Sequence, residues 1–313
     1  MPVESRREFV RRSAALGATA TLLAPHVRAL GDDALQQTPI VDTHLHCFAG
    51  TGDQRFPYHP QGPYRPEAAA TPEHLLRCMD EAGVAHAIVV HPEPYQDDHR
   101  YLEHCLDVGA GRLKGTCLFL TGRPDSLRRM PDFLRRNSGR IVAARLHAYA
   151  PERMPPWDTP ELRELWKIAS DSGLAMQLHF EPRYAPRLEP YIKEFSKTTV
   201  IIDHLGRPMQ GTPAEHAVVI GWSKLPNTII KLSSLPQLDQ YPHREPGPVI
   251  RKLTEAFGPE RTIYGGGFSA STTGASYRAY RERLLGYLNH LSAAEQAQIL
   301  GGTATRLFGF ERT

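Results

Sequence analysis

From Thr38 onward the chain alternates short β-branched runs with longer segments whose apolar residues recur at helical period. That alternation is the pattern of a parallel sheet built from βα units. The runs are Ile40–Leu45, His86–Val90, Lys114–Phe119, Ile141–Leu146, Ala175–Leu178, Val200–Asp203, Thr228–Leu232 and Thr262–Tyr264. Eight such units predict a (β/α)8 TIM barrel, one domain over residues 38–313. Helices are expected to begin near Pro72, Asp98, Ser126, Pro160, Ala185, Pro213, Pro246 and Ser276. At Pro72 and Pro160 a threonine precedes the proline and an acid follows it, which marks a helix start. A last helix, Ala293–Leu300, leads into Gly301–Phe308, whose apolar end is expected to cap the barrel. The proline-rich stretch Arg55–Pro72 reads as a long loop over the active face.

In a barrel of this kind, side chains at the carboxyl ends of the strands converge on one face. Histidines stand there repeatedly: His44 and His46 close the first run, and His91, His147, His179 and His204 occupy similar places downstream. Strand residues alternate sides, so His44 and His46 project together and can share one ligand. Scattered histidines satisfied by backbone carbonyls are the structural alternative, and the conjunction at several strand ends favours a shared site. Arg145 shares parity with His147, and Lys231 lies in strand seven. Both cations suit an acidic substrate. Arg207, after strand six, reads as a surface ion pair, while Tyr58 and Ser233 offer hydroxyls to the same pocket.

The formal charge of +3 is spread along the 313 residues without a dense basic run, which argues against a nucleic-acid footprint. The amino terminus differs from the rest. Ser5-Arg6-Arg7-Glu8-Phe9-Val10-Arg11 precedes a small-residue apolar stretch from Ser13 to Pro25, with Val27-Arg28-Ala29 as a cleavage site. This pattern resembles a twin-arginine export signal over residues 1–29, and predicts a periplasmic or secreted protein. The apolar run is too short for a stable membrane anchor. Cys47, Cys78, Cys105 and Cys117 lack C-x-x-C spacing and read as buried free thiols, with Cys47 turned away from His46 by strand alternation.

Several segments resemble the amidohydrolase-related barrels, also called the amidohydrolase-2 family. They are Val41-Asp-Thr-His-Leu-His46, Ala144-Arg-Leu-His147, Gln177-Leu-His179, Asp203-His-Leu-Gly-Arg-Pro208, Lys231-Leu-Ser233 and Gly302-Thr-Ala-Thr-Arg-Leu-Phe308. The likeness is to the lactonase branch, which includes 2-pyrone-4,6-dicarboxylate lactonase and sugar lactonases. Arg55-Phe-Pro-Tyr58, Tyr64-Arg-Pro66 and Thr71-Pro-Glu-His-Leu75 resemble that first loop. The resemblance implies hydrolysis of a lactone or similar cyclic ester bearing polar or carboxylate groups. Another branch decarboxylates aromatic acids with a metal.

Strand eight departs from the family pattern. Gly265-Gly-Gly-Phe-Ser269 puts Gly267 where these enzymes usually carry an aspartate that acts as base or helps hold a metal. A glycine can do neither, although its N–H can approach and bind an anion. Two carboxylates are expected to substitute by strand parity: Glu181, two residues beyond His179, and Glu93, two beyond His91. A histidine acting as base is a third possibility. Asp203, adjoining His204, is expected on the other side in a structural role. His44, His46, His179 and His204 are credible ligands for zinc, manganese or another divalent metal. The resemblance also admits a metal-free site in which the same histidines polarise the substrate. Without a lysine ending strand four, a carbamate-bridged metal pair is disfavoured. Three readings follow: a lactone hydrolase, with His147 and Arg145 orienting substrate; a metal-dependent decarboxylase of an aromatic acid; or a silent barrel that binds a small acidic metabolite.

Overall fold

The computed structural model describes residues 38–150, 153–236 and 245–311, so the export segment expected over residues 1–29 lies outside the described residues. Eight strands form one sheet: β1 Val41–Leu45, β2 His86–Val90, β3 Leu113–Leu118, β4 Ile141–Ala148, β5 Ala175–Phe180, β6 Val200–Ile202, β7 Thr228–Leu232 and β8 Thr262–Tyr264. They are hydrogen-bonded in that order, and each consecutive pair is parallel. The helices α1 Pro72–Ala82, α2 Arg100–Gly109, α3 Pro124–Arg136, α4 Pro160–Asp171, α5 Ala185–Glu194, α6 Pro213–Gly221, α7 Gly247–Phe257 and α8 Gly274–Tyr287 each follow their strand. The result is a nearly closed parallel barrel with helices outside. Thr71 and Thr159 accept from the N–H groups of His74 and Leu162, so the two threonine caps inferred from sequence exist as such.

Side chains join β8 to β1. Thr43 Oγ1 donates to the Tyr264 carbonyl at 2.6 Å, and Asp42 accepts from the Gly266 N–H at 2.8 Å. The seam is tight enough that a Cβ on Gly265 would stand 2.7 Å from the His44 nitrogen, so glycine alone permits this approach.

Beyond α8 the chain runs through the short helix α9, Ala293–Ala297, a wide turn at Gln298–Gly302 and α10, Thr303–Phe308. The expected helix Ala293–Leu300 is present, widening to a π-helical turn from Gln298 and running on into α10 with right-handed helical backbone at the junctions. Ala304, Phe308 and Phe310 pack with Val41, Ile88, Ala143, Ala175, Ile201, Ile229 and Ile263 in one buried apolar cluster. This plugs one end of the barrel as expected. Each fully buried aromatic there contributes on the order of 1.5–3 kcal/mol of transfer free energy before ordering costs.

One irregularity positions the opposite end. Asp42 pairs with Ala87 and Leu45 with Val89, so three steps of β1 oppose two of β2. Such a bulge turns two consecutive residues, Thr43 and His44, to the interior. Leu45 packs outward with Val89 in the helix-facing core, and His46 is brought inward again.

Candidate functional site

The interior reads as layers. On β4, β5, β6 and β7, Ala143, Ala175, Ile201 and Ile229 belong to the apolar plug. Two residues further along each strand's path stand Arg145, Gln177, Asp203 and Lys231, all buried. Asp203 is their hub. It accepts from Arg145 Nη2 at 3.0 Å and Gln177 Nε2 at 2.9 Å, and its other oxygen lies 3.2 Å from Lys231 Nζ and 3.5 Å from His44 Nδ1. Lys231 also donates to the Thr43 carbonyl at 3.0 Å, and Thr116 donates to Gln177 at 3.1 Å. Burial alone would raise the Asp203 pKa. Lys231, His44 and Arg145 more than reverse this and hold it well below the usual range. Burial also lowers the pKa of Lys231.

Above this floor the five mouth histidines form an arc. Ring centroids are 5.2 Å apart for His46 and His44, 4.5 Å for His44 and His204, 5.0 Å for His204 and His179, and 5.2 Å for His179 and His147. Burial depresses all five below the usual histidine value, to about 3 for His46 and about 3 for His204, so they are neutral at pH 7. Their partners fix most tautomers. His46 Nδ1 donates to the Val90 carbonyl at 2.7 Å, Arg207 donates to His179 Nε2 at 3.0 Å, and His147 Nδ1 donates to Glu93 at 3.0 Å. His204 Nδ1 faces the Ser233 and Ser234 hydroxyls, each at 2.9 Å.

Several expectations are corrected. Asp203 faces the interior rather than the far side. The sequence reading assigned the inward position to His204, but β6 stops at Ile202 and the chain then turns left-handed, with φ of 55° at His204, 59° at Leu205, 68° at Gly206 and 52° at Arg207. That turn brings His204 back beside Asp203. Three of these residues carry a Cβ, and such backbone costs on the order of 1–3 kcal/mol per residue. The same turn makes Arg207 part of the mouth instead of a surface pair. His91 points outward, 4.4 Å from the His99 ring, with Nε2 on the Gln96 carbonyl at 2.9 Å. Glu181 pairs with Arg183 at 2.5 Å and, among the described residues, has no hydrogen bond or ion pair to the mouth histidines. Tyr58 spends its hydroxyl on the Pro66 carbonyl at 2.9 Å and packs tilted against Tyr95 with ring centroids 4.9 Å apart, holding the first loop. Lys231 lies beneath His44, within 3.5 Å of its Nδ1, and acts from the floor. Cys47 is buried in the outer core, as strand alternation implies.

Glu93 does reach the mouth, but not beside His91. A short 3-10 turn, Glu93–Tyr95, swings it to His147, Tyr149 and Arg153. Burial opposes its ionisation, yet these bonds hold its pKa down at about 2. Tyr149 was overlooked in the sequence, although alternation from His147 would have found it. Its ring lies 4.3 Å from His179, with the Arg207 and Arg153 guanidinium carbons 5.0 and 4.9 Å from its centroid.

Gly266 and Gly267 have φ of 108° and 109°. A Cβ on Gly267 would stand 2.9 Å from Tyr280 Cγ, so the backbone at this rim leaves no room for a side chain in that direction. Two larger surface grooves, one beside Asp98 and Arg129 and one beside Arg163 and Glu194, include none of the five histidines. A cavity of about 390 Å³ includes His147, Arg145, Glu93 and Arg153, and lies to the β4 side of His44, His46, His179, His204 and Arg207, which are not in its lining.

The Amidohydro_2 family model, described as amidohydrolase, matches residues 41–310. The chain belongs to this amidohydrolase family. It is 25% identical over 240 residues to a 2-pyrone-4,6-dicarboxylate hydrolase of Comamonas testosteroni, covering 72% of this chain and 75% of that protein. To an L-fucono-1,5-lactonase of Burkholderia ambifaria it is 27% identical over 265 residues, 77% and 86% of the two chains. The crystal structure of a 2-pyrone-4,6-dicarboxylic acid hydrolase candidate from Pseudomonas putida superposes with a TM-score of 0.71 at 23% identity, over 88% of this chain and 98% of the other. At that identity it shows the fold.

Barrels of similar fold hold metals. One amidohydrolase from Burkholderia multivorans has bound zinc (TM-score 0.66, 16% identity, 87% and 100% coverage), and a Polaromonas dihydroxybenzoic acid decarboxylase has bound manganese (0.58, 13%, 88% and 98%). In this chain His44, Asp203 and His204 each present a ligand atom within 4.8 Å of the others. This differs from the four-histidine set inferred from sequence, since His46 and His179 fall outside it. The distances admit a divalent ion, but the charges do not fit one. The Asp203 carboxylate is already shared by Lys231 and Arg145, and a dication would be added beside two buried cations.

Proposed function

We propose that this protein hydrolyses a small lactone or similar cyclic ester carrying a carboxylate, without a metal. Its family and its pyrone and fuconolactone hydrolase relatives support the reaction class. Arg207 carries the substrate reading. Its guanidinium donates to a neutral histidine, lies over Tyr149, and has no carboxylate within ion-pair distance among the described residues. Burial also lowers its pKa. A desolvated guanidinium held on strained backbone is suited to a substrate carboxylate.

The floor adds to this preference, because Arg145 and Lys231 outnumber Asp203. His44 and His204, whose Nδ1 atoms face side-chain donors, leave an Nε2–H to the mouth that can hold the ester carbonyl and its developing negative charge. A zinc or manganese ion at His44, Asp203 and His204 would polarise the carbonyl as a Lewis acid, and the decarboxylase reading rests on that triad.

Purified protein is assayed with 2-pyrone-4,6-dicarboxylate and L-fucono-1,5-lactone, after metal stripping and with added zinc or manganese. Turnover unaffected by stripping is the expected result. Absence of turnover on both lactones would overturn the lactone-substrate reading, and turnover only with metal would overturn the metal-free one. We also infer twin-arginine export from Arg6, Arg7 and the apolar stretch behind them. Fractionation of cells with and without that transport pathway tests it, and retention of the wild-type protein in the cytoplasm of both would contradict it.

A further inference from the structure

Resting on the lactone-hydrolase reading, we propose that His147 is the general base that activates water, held and oriented by Glu93, and that this pair takes over the work expected of a strand-eight aspartate. Three observations converge on it. His147 Nδ1 donates to the Glu93 carboxylate at 3.0 Å, which leaves Nε2 as the atom with the lone pair. That Nε2 is buried and has no partner among the described residues. His147, Glu93 and Arg145 line the cavity of about 390 Å³, along with Leu118, Arg153 and Met154.

The other histidines are engaged differently. Arg207 occupies the His179 lone pair at Nε2. His204 turns Nδ1 to two serines. His46 has only a neutral carbonyl behind Nδ1. The Nδ1 of His44 faces two donors, Gln177 at 3.4 Å and Lys231 at 3.5 Å, and shares Asp203 with two cations. Of the two with a carboxylate beside one nitrogen, His147 has the shorter contact, 3.0 Å against 3.5 Å between His44 and Asp203, and its other nitrogen is buried with an unspent lone pair. Glu93 is itself fixed by Tyr149 and by Arg153 Nε at 3.3 Å.

In the step, the water oxygen bonds to the ring carbonyl carbon while its proton passes to His147 Nε2, and the carbonyl electron pair moves onto oxygen. The resulting imidazolium is stabilised by ionised Glu93. As the tetrahedral centre collapses, the bond from carbon to ring oxygen breaks, and His147 returns the proton to that oxygen. The products are the acid and the freed hydroxyl, and the histidine is neutral again. Burial keeps His147 below the usual histidine pKa, so it is an unprotonated base at pH 7. The charged and titratable groups facing it are Glu93, Tyr149, Arg153, Arg145, His179, His46 and Asp203.

The test compares wild type, His147→Asn, His147→Gly and Glu93→Gln on 2-pyrone-4,6-dicarboxylate and on p-nitrophenyl acetate. The ester keeps the proposal testable if the protein hydrolyses neither lactone, an outcome that would fault the substrate reading alone. Near-UV circular dichroism establishes that each variant is folded. His147→Asn is expected to lose about 100-fold or more in kcat, with KM within a factor of about 3. Imidazole added to His147→Gly restores at least about 10-fold, which a purely structural role would not produce. Glu93→Gln moves the acid limb of the kcat/KM profile to lower pH, because the carboxylate raises the basicity of the ring. If folded His147→Asn stays within about 3-fold of wild type on the substrate turned over, or imidazole restores nothing, or the ester too shows no enzyme-dependent rate, the proposal is overturned.

Discussion

Two rims of the same barrel face each other with opposite chemistry. At the β8 and β1 rim, Gly265, Gly266 and Gly267 bring backbone against backbone, and the buried carboxylate Asp42 is spent on the seam. It accepts from the His44 N–H at 2.9 Å, Gly266 at 2.8 Å and the Tyr277 hydroxyl at 2.5 Å. At the β2 to β4 rim, one to three strands from β1, Glu93 serves a histidine in the mouth. The difference teaches that a carboxylate's role follows from the side of the strand it occupies. Asp42 turns outward and closes the barrel; Glu93 is swung inward by a short turn and holds His147.

The contrast can be broken most sharply at the floor. Asp203→Asn leaves Arg145 and Lys231 buried without their shared counter-charge, and is expected to destabilise by about 3–5 kcal/mol in urea unfolding. A loss below about 1 kcal/mol would show that the floor tolerates its cations unpaired.

The two rims should also respond oppositely to pH. Burial raises Asp42 from 3.8 to about 6 in the folded protein, despite its three donors. The folded state therefore holds this proton more tightly, and the contribution of Asp42 is full below about 3.8 and is lost as pH rises through about 6. Glu93 is displaced the other way, from 4.5 to about 2, so its contribution is full above about 4.5 and is lost as pH falls through about 2. Each displacement of about 2 pH units corresponds to about 3 kcal/mol. Urea melts across pH should lose the upper slope in Asp42→Asn and the lower slope in Glu93→Gln. Coincident slopes in the two variants would erase the distinction.

A smaller effect is expected at Arg207. Its replacement by methionine should raise KM for 2-pyrone-4,6-dicarboxylate by about 10- to 100-fold while changing KM for the uncharged L-fucono-1,5-lactone little. Equal losses on both would remove its role as carboxylate reader. Finally, Gly267→Asp should gain no activity and cost on the order of 1–3 kcal/mol, because φ is 109° and the new Cβ meets Tyr280. A gain in turnover would move proton handling back to strand eight.

The barrel was legible because short apolar runs alternate with segments of helical period and the threonine-proline signals at Thr71 and Thr159 are local. The histidine mouth was legible through alternation wherever a strand stays regular, as at Arg145, His147 and His179. Alternation failed where the backbone leaves its strand. The bulge at Thr43 and His44, the left-handed turn at His204–Arg207 and the 3-10 turn at Glu93 each re-aim side chains, and no period in the sequence encodes them. Glu181 was misplaced for the same reason, since Pro182 opens a turn that sends it to Arg183. Asp203 was recoverable by counting two residues from Ile201, which belongs to the apolar interior.

The most direct measurement of the account is kcat/KM for 2-pyrone-4,6-dicarboxylate, taken on metal-stripped wild type and on folded His147→Asn side by side. The account predicts turnover by the stripped wild type and a loss of about 100-fold or more in the variant. Equal rates in the two proteins, or a wild-type rate that appears only when metal is returned, would contradict it.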